Sequence, residues 1–288
     1  MNLDGHTQPF AVLGHPIGHT LSPVMHNAAF RALKMNAIYL AFDVAPDNLM
    51  GVLPAMARMG FRGINLTVPL KEVAFKGLTD LDDSARDLGA VNTVQILPAG
   101  LRGHNTDGRG FILAIKEAFG TSLKGLNVFI LGSGGAGRAV AITCATGRAA
   151  SIQISDMDYP RAGRVVSEIK SRGGRARVSA IEPGSDALIE ACRNADLVIN
   201  ATTVGMKKND RPPLPVAAFG KNQIAFDLVY MYPRTSFMKV AQKAGAKAVN
   251  GLGMLLHQGA HAFSIWTGRE PAVKDMRRAL ESAVYRRG

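Results

Sequence analysis

The chain is poor in cysteine, in aromatic residues and in long apolar runs. Only two cysteines, Cys144 and Cys192, occur in 288 residues. They cannot build a disulfide framework, and they lack the paired spacing of a zinc site. Aromatic residues make up 6% of the chain and no recognition motif accompanies them, so nucleic acid is not an expected partner. No apolar stretch approaches the ~20 residues that a membrane helix needs, so no membrane partner is expected either. The opening Met1-Asn-Leu-Asp-Gly-His has an acid, no basic segment and no apolar core, unlike a secretory signal. Low-complexity tracts, internal repeats and long Gly/Ser/Pro linkers are missing too. These absences together predict a soluble, reduced, cytoplasmic protein.

What is present fits a globular α/β chain. Hydrophobic residues reach 47% and charged residues 19%, well outside disordered composition. Lys and Arg number 34 against 22 Asp and Glu, a net +12 that favours anionic partners without choosing among them. Short β-rich runs at 9–14, 37–44, 63–68, 90–97 and 127–132 alternate with helical stretches, and the pattern continues through 151–156, 175–181, 195–202, 224–230 and 247–251. Several are continuous apolar runs, as strands covered on both faces are. Such alternation predicts α/β architecture with largely parallel sheets. A boundary is expected near residues 107–110, and the strandless stretch 255–285 is expected to return to the first domain.

Residues 127–140, NVFILGSGGAGRAV, place Gly132, Gly134 and Gly137 in the G-x-G-x-x-G pattern between a strand and a helix. The first glycine permits the tight turn, the second lets backbone approach a pyrophosphate, and the third allows close helix–strand packing. The helix start then offers unpaired N–H groups to phosphate. Asp156 ends the next strand, where an acid can bond ribose hydroxyls and repel a 2′-phosphate. This favours NAD. Five arginines, Arg161, Arg164, Arg172, Arg175 and Arg177, follow closely and leave NADP as the other choice.

Three clusters in the first half carry more polar residues at strand ends than packing requires: GHPIGHTLSPVMHNAAF (14–30), GINLTVPLKE (63–72), and AVNTV (90–94) with GHNTDGRGF (103–111). Ser22 reads as a helix N-cap with Pro23 at the first helical position. With the glycine loop and NGLGMLLHQGAHAFSIWTG (250–268), these clusters resemble the shikimate dehydrogenase family over nearly the whole chain. The resemblance implies two α/β domains separated by a cleft: a substrate-binding domain (1–107 and 255–288) and a Rossmann-type dinucleotide-binding domain (108–254). It also implies reversible hydride transfer between a nicotinamide cofactor and 3-dehydroshikimate or shikimate, in aromatic amino acid biosynthesis, with quinate as an alternative substrate. The chain would act as a monomer or homodimer.

Carried over by position, Lys71 and Asp107 match the catalytic pair. Thr20 and Ser22 match hydroxyls that bind the substrate carboxylate, while Asn65, Thr67, Asn92 and Gln258 match groups that hold ring hydroxyls. Tyr230 matches a tyrosine lining the cleft. Gly132, Ser133, Gly134, Gly135 and Ala136 match the phosphate loop; Asp156 and Thr202 join the cofactor set, and Gly251 and Met254 fall near the nicotinamide. Hydride delivery to a ring ketone builds negative charge on oxygen, and a lysine paired with a carboxylate can stabilise that charge and pass the proton. A non-catalytic sensor of a cyclic acid and a dinucleotide would have no need of that pair.

The chain departs from the family pattern in three places. Thr20 stands where serine is usual, Tyr232 delays Pro233 by one position after Tyr230, and Ser-Asp-Met-Asp replaces the basic Asn-Arg-Thr pattern after the second nucleotide-domain strand. The last of these is a further reason to expect NAD. The histidines lack a convincing ligand set, so no metal is expected.

Overall fold

The protein is described by a computed structural model covering residues 3–285. In chain order the first elements are β1 (Gln8–Gly14), α1 (Ser22–Ala32), β2 (Ala37–Asp43), α2 (Leu49–Arg58), β3 (Gly63–Leu66), α3 (Leu70–Gly77), β4 (Asp80–Leu81), α4 (Asp83–Leu88), β5 (Thr93–Leu97), β6 (Gly100–His104) and α5 (Asp107–Phe119). They continue with β7 (Asn127–Leu131), α6 (Gly135–Thr146), β8 (Ser151–Ser155), α7 (Tyr159–Ser171), β9 (Arg177–Ile181), α8 (Asp186–Arg193), β10 (Leu197–Asn200), β11 (Ile224–Asp227), α9 (Ser236–Lys243) and β12 (Lys247–Asn250). Two helices, α10 (Leu252–Thr267) and α11 (Val273–Tyr285), complete the described chain.

The chain divides into two compact units. One runs to Gly110 and takes up Leu255–Ala283; the other holds Phe111–Met254. The first unit is built on a sheet of order β2-β1-β3-β5-β6-β4. Its β1 is parallel to β2 and β3, while β5 is antiparallel to both β3 and β6. With β4 parallel to β6, the sheet is mixed: three pairings are parallel and two antiparallel. The sequence reading missed β6, whose GLRGH run holds two glycines and no alternating apolar face, and with it the β5–β6 hairpin that reverses the chain.

One face of this sheet is buried by Ala11, Leu13, Ile64, Leu66, Val91 and Val94 against Leu49, Leu53 and Leu70 from α2 and α3. Each fully buried Val, Leu or Ile among them contributes about 1.5–3 kcal/mol. Helix α10 also packs on this unit: the Trp266 indole N–H donates to the Val94 carbonyl at 3.0 Å, and Gln95 donates to the Ile265 carbonyl at 3.1 Å.

The second unit holds a fully parallel sheet of order β12-β11-β10-β7-β8-β9. The strand order reverses between β7 and β10, which makes their carboxyl ends the topological switch point where doubly wound sheets bind ligands. Phe129, Val198 and Ala225 form its core with Leu188, Phe219 and Phe237. Both cysteines are buried and unpaired, and burial pushes their thiols up, so neither is a reactive thiolate.

Candidate functional site

In the first unit the polar residues gather at one end of the sheet. Parallel β1 and β3 finish there together, tied by the Thr67 amide to the Leu13 carbonyl at 2.9 Å and the His15 amide to the Val68 carbonyl at 3.1 Å. Antiparallel pairing brings the start of β5 and the end of β6 to the same place, with Thr93 opposite both Asn65 and His104. Lys71 follows on the first turn of α3, and Asp107 opens α5.

Lys71 Nζ donates to Asp107 Oδ2 at 2.6 Å, with the side chains 28% and 13% exposed. The other carboxylate oxygen accepts from Asn92 Nδ2 at 2.9 Å. The start of α5 adds the favourable field of a helix N-terminus to the carboxylate. Lys71 keeps two N–H bonds beyond the one given to Asp107, and enough exposure to reach a reacting oxygen.

Asn92 is a hub. Its Oδ1 accepts from Thr93, from the Thr106 amide at 2.8 Å and from the Thr106 hydroxyl; its Nδ2 faces Thr106, Asp107 and Gln258. Gln258 reaches from α10, its amide fixed by the Leu255 carbonyl at 3.0 Å. Asn65, expected to hold a ring hydroxyl, is 4% exposed and has both N–H bonds committed, to the Asn92 carbonyl and Thr93 Oγ1, each at 3.0 Å. Its Oδ1 accepts from the buried Tyr39 hydroxyl at 2.7 Å. Asn65 thus acts from beneath the site, as a support. Tyr39 was not singled out in the sequence, where it reads as an ordinary strand aromatic.

Ser22 is also placed differently from its reading as a cap. It is the first residue of α1; Leu21 holds the cap position, and the Ser22 amide donates to Thr20 Oγ1 at 3.3 Å. Ser22 and Thr67 carry hydroxyls that, among the described residues, are not taken up by a protein partner. Nearby His26 is fully buried and stacked on Tyr39 at 4.3 Å, and burial pushes its pKa down to about 3. It is a neutral packing residue. Among the described residues no group of three or more His, Cys, Asp or Glu could hold a metal ion.

The second unit presents its glycine loop at the switch point. Gly132 sits at φ +96°, and a Cβ there would press on the Ala201 backbone and Thr202. A Cβ on Gly137 would overlap the Gly132 carbonyl, so α6 packs against the turn only because that residue is glycine. Above Gly134 and Gly135 there is open space, and no N-cap side chain bonds to the start of α6. A cradle with these three properties fits a dinucleotide pyrophosphate.

Thr202 lies across the switch point after β10, its hydroxyl bonded to Asn200 Oδ1 at 2.7 Å. Asn200 donates in turn to Asp227 at 2.8 Å, and the Val229 amide donates to the same Asp227 oxygen at 3.1 Å. This buried carboxylate, which the sequence reading passed over, joins the loops after β10 and β11. Gly251 follows β12, where a Cβ would overlap the Leu228 carbonyl, and Met254 lies buried on α10. Tyr230, expected to line the substrate site, belongs to this second unit; burial raises its phenol. The delayed Pro233 is accommodated by Asn250, which donates to the Tyr232 carbonyl at 2.9 Å.

Asp156 corrects the cofactor reading. It is 5% exposed and accepts from the Ser133 amide at 2.6 Å, the Ser133 hydroxyl at 2.8 Å, the Asp158 amide at 2.9 Å and the Arg161 guanidinium at 2.8 Å. Burial alone would raise this carboxyl. The Arg161 and Ser133 hydrogen bonds outweigh burial and hold it at about 2. An acid so engaged has both oxygens committed within the protein and its charge balanced by its arginine. The expected preference for NAD is not supported.

A chain carrying both a doubly wound dinucleotide unit and a unit with a lysine–carboxylate pair among open hydroxyls has the parts of a nicotinamide-dependent oxidoreductase. Comparison with known proteins narrows that class. Residues 12–94 match the shikimate dehydrogenase substrate binding domain, and residues 251–281 match the shikimate 5′-dehydrogenase C-terminal domain. The curated shikimate dehydrogenase (NADP(+)) of Methanopyrus kandleri is 43% identical over 282 residues, covering 97% of both chains. The Listeria monocytogenes shikimate 5-dehydrogenase, solved with shikimate and NAD, aligns with TM-score 0.90 and 35% identity over 97% of this chain and 98% of that one. The Thermus thermophilus enzyme, solved with NADP(H) and shikimate, gives 0.85 and 39% over 96% and 99%. The chain belongs to the shikimate dehydrogenase family, and it is an oxidoreductase acting on a CH–OH group with a nicotinamide cofactor.

Proposed function

We propose that the chain interconverts 3-dehydroshikimate and shikimate with NADP, and that Lys71 and Asp107 manage the proton at the reacting oxygen. The observation that carries this reading is the 2.6 Å Lys71–Asp107 contact at the strand ends that also bear Thr67 and Asn92. The cofactor, when bound, supplies or accepts the hydride. Lys71 stabilises negative charge on the substrate oxygen and transfers a proton to it, or removes one in the reverse direction. Asp107 holds the lysine in place through their 2.6 Å contact. Thr20 and Ser22 hold the substrate carboxylate through their hydroxyls, and Thr67, Asn92 and Gln258 order the ring hydroxyls.

Gly132, Ser133, Gly134, Gly135 and Ala136 receive the pyrophosphate, with Thr202, Gly251 and Met254 toward the nicotinamide. Arg161 supports the choice of NADP: its guanidinium is anchored by Asp156 yet 44% exposed, at the strand end where the adenosine ribose lies in this type of fold. The names of curated relatives such as the Methanopyrus protein support the same choice.

Steady-state rates with shikimate and quinate, each with NADP and NAD, test the reading. The expected result is the highest kcat/KM for shikimate with NADP. Turnover of neither acid with either cofactor removes the reading, and a higher value with NAD removes its cofactor half.

A further inference from the structure

The side of Asp107 away from Lys71 is held by a hydrogen-bonded brace that nothing in the proposed chemistry uses. The Asp107 amide donates to Asn105 Oδ1 at 2.9 Å. Asn105 is 3% exposed and is itself fixed twice more, its Nδ2 donating to the Ala90 carbonyl at 2.8 Å and its amide to Ser84 Oγ at 2.8 Å. Ser84 Oγ in turn donates to Asp82 Oδ1 at 2.6 Å.

The direction of this chain is set by chemistry. Asp82 is ionised and can only accept, so the Ser84 hydrogen points to it and the hydroxyl lone pairs are left for the Asn105 amide. Asp82 is fixed on its own account: the Ala85 amide donates to Oδ1 at 3.0 Å, capping α4, and Oδ2 faces His104 Nδ1 at 2.8 Å. Segment 104–107 is therefore tied to α4 at both His104 and Asn105. Asn92 grips the Asp107 carboxylate from β5 on the other side.

We propose that Ser84 and Asn105 are positioning residues for the reaction, relaying the fixed position of Asp82 to Asp107 and so aiming its carboxylate at Lys71. Neither residue touches the reacting atoms. This inference rests on the proposed dehydrogenase chemistry, since a brace on Asp107 affects turnover only if the Lys71–Asp107 pair carries it. Ser84 is the informative position, because Asp82 also caps a helix and Asn105 is wholly buried.

The test compares wild type, Ser84→Ala and Ser84→Thr in the reduction of 3-dehydroshikimate, using reduced cofactor with hydrogen or deuterium at the transferred position. Ser84→Ala is expected to lower kcat by ~10-fold, because small misplacements of a catalytic group are costly. Its cofactor KM should stay within about twofold of wild type while the deuterium isotope effect on kcat rises, as the chemical step becomes limiting. Ser84→Thr, which keeps the hydroxyl, is expected to restore kcat. Hydrogen exchange over residues 104–111 should quicken in Ser84→Ala, a readout independent of turnover.

A kcat within about twofold of wild type overturns the inference, as does a lower kcat with an unchanged isotope effect, which would mean fewer active molecules. Unchanged exchange over 104–111 overturns it too. Absence of turnover in the wild type would instead strike the proposed function itself.

Discussion

At the scale of single residues, Lys71 and Asp107 lie 36 positions apart in the chain and meet at 2.6 Å, the pair that the family resemblance puts together. Which way an acid or amide turns is decided by partners that arrive from other strands. Asp156 reads as a ribose acid until Ser133 and Arg161 are seen to saturate it. Asn65 reads as a ligand group until Tyr39 is seen to claim its oxygen. The Asn105 brace left a local trace, an asparagine two residues before a helix start, the spacing of an Asx turn. Asp227 left none, because its burial depends on the whole second sheet. Burial raises its carboxyl to about 6, against hydrogen bonds that lower it. An acid raised in the folded state makes no difference to stability below its unfolded pKa, and it destabilises progressively as pH rises through its folded value. The shift of about two units corresponds to about 3 kcal/mol. Relative to wild type, Asp227→Asn should therefore gain stability as pH rises from ~4 to ~7, by up to ~3 kcal/mol. Urea denaturation at several pH values checks this; a stability difference independent of pH contradicts it.

At the scale of elements, apolar runs located the strands well. All ten runs contain a strand, with ends shifted by up to three residues. What escaped were β4, only two residues long, and β6, rich in glycine, so the first sheet was read as more parallel than it is. The packing of α10 onto that sheet explains one of the glycines that periodicity could not. Gly63 lies in β3 beneath Trp266, and a Cβ would overlap the indole ring. The ring has little room to move, being hydrogen-bonded to Val94 and packed 5.6 Å from Phe10. Gly63→Ala should then destabilise the protein by about 1–3 kcal/mol through overpacking, despite the better intrinsic strand propensity of alanine. Thermal melts read the effect directly, and an unchanged or raised Tm would show that the indole gives way.

At the scale of the whole molecule, the net charge of +12 is unevenly placed. Residues 111–254 hold 19 Lys and Arg against 10 Asp and Glu, a net +9, whereas residues 1–110 with 255–283 hold 13 against 12, a net +1. The excess belongs to the unit with the phosphate loop, where a polyanionic dinucleotide is the natural beneficiary of long-range attraction. Raising ionic strength from ~0.02 to ~0.2 M should accordingly raise the KM for NADP several-fold, with a smaller change for shikimate. Equal salt responses would show that the charge serves something other than the cofactor. The central claim, that Lys71 with Asp107 carries proton transfer in a dehydrogenase, is tested most directly by shikimate oxidation with NADP in wild type and Lys71→Ala. The account predicts turnover in the wild type and a kcat lowered by ~10²–10⁴ in the variant, with a much smaller change in shikimate KM. Near-normal kcat in Lys71→Ala would contradict it.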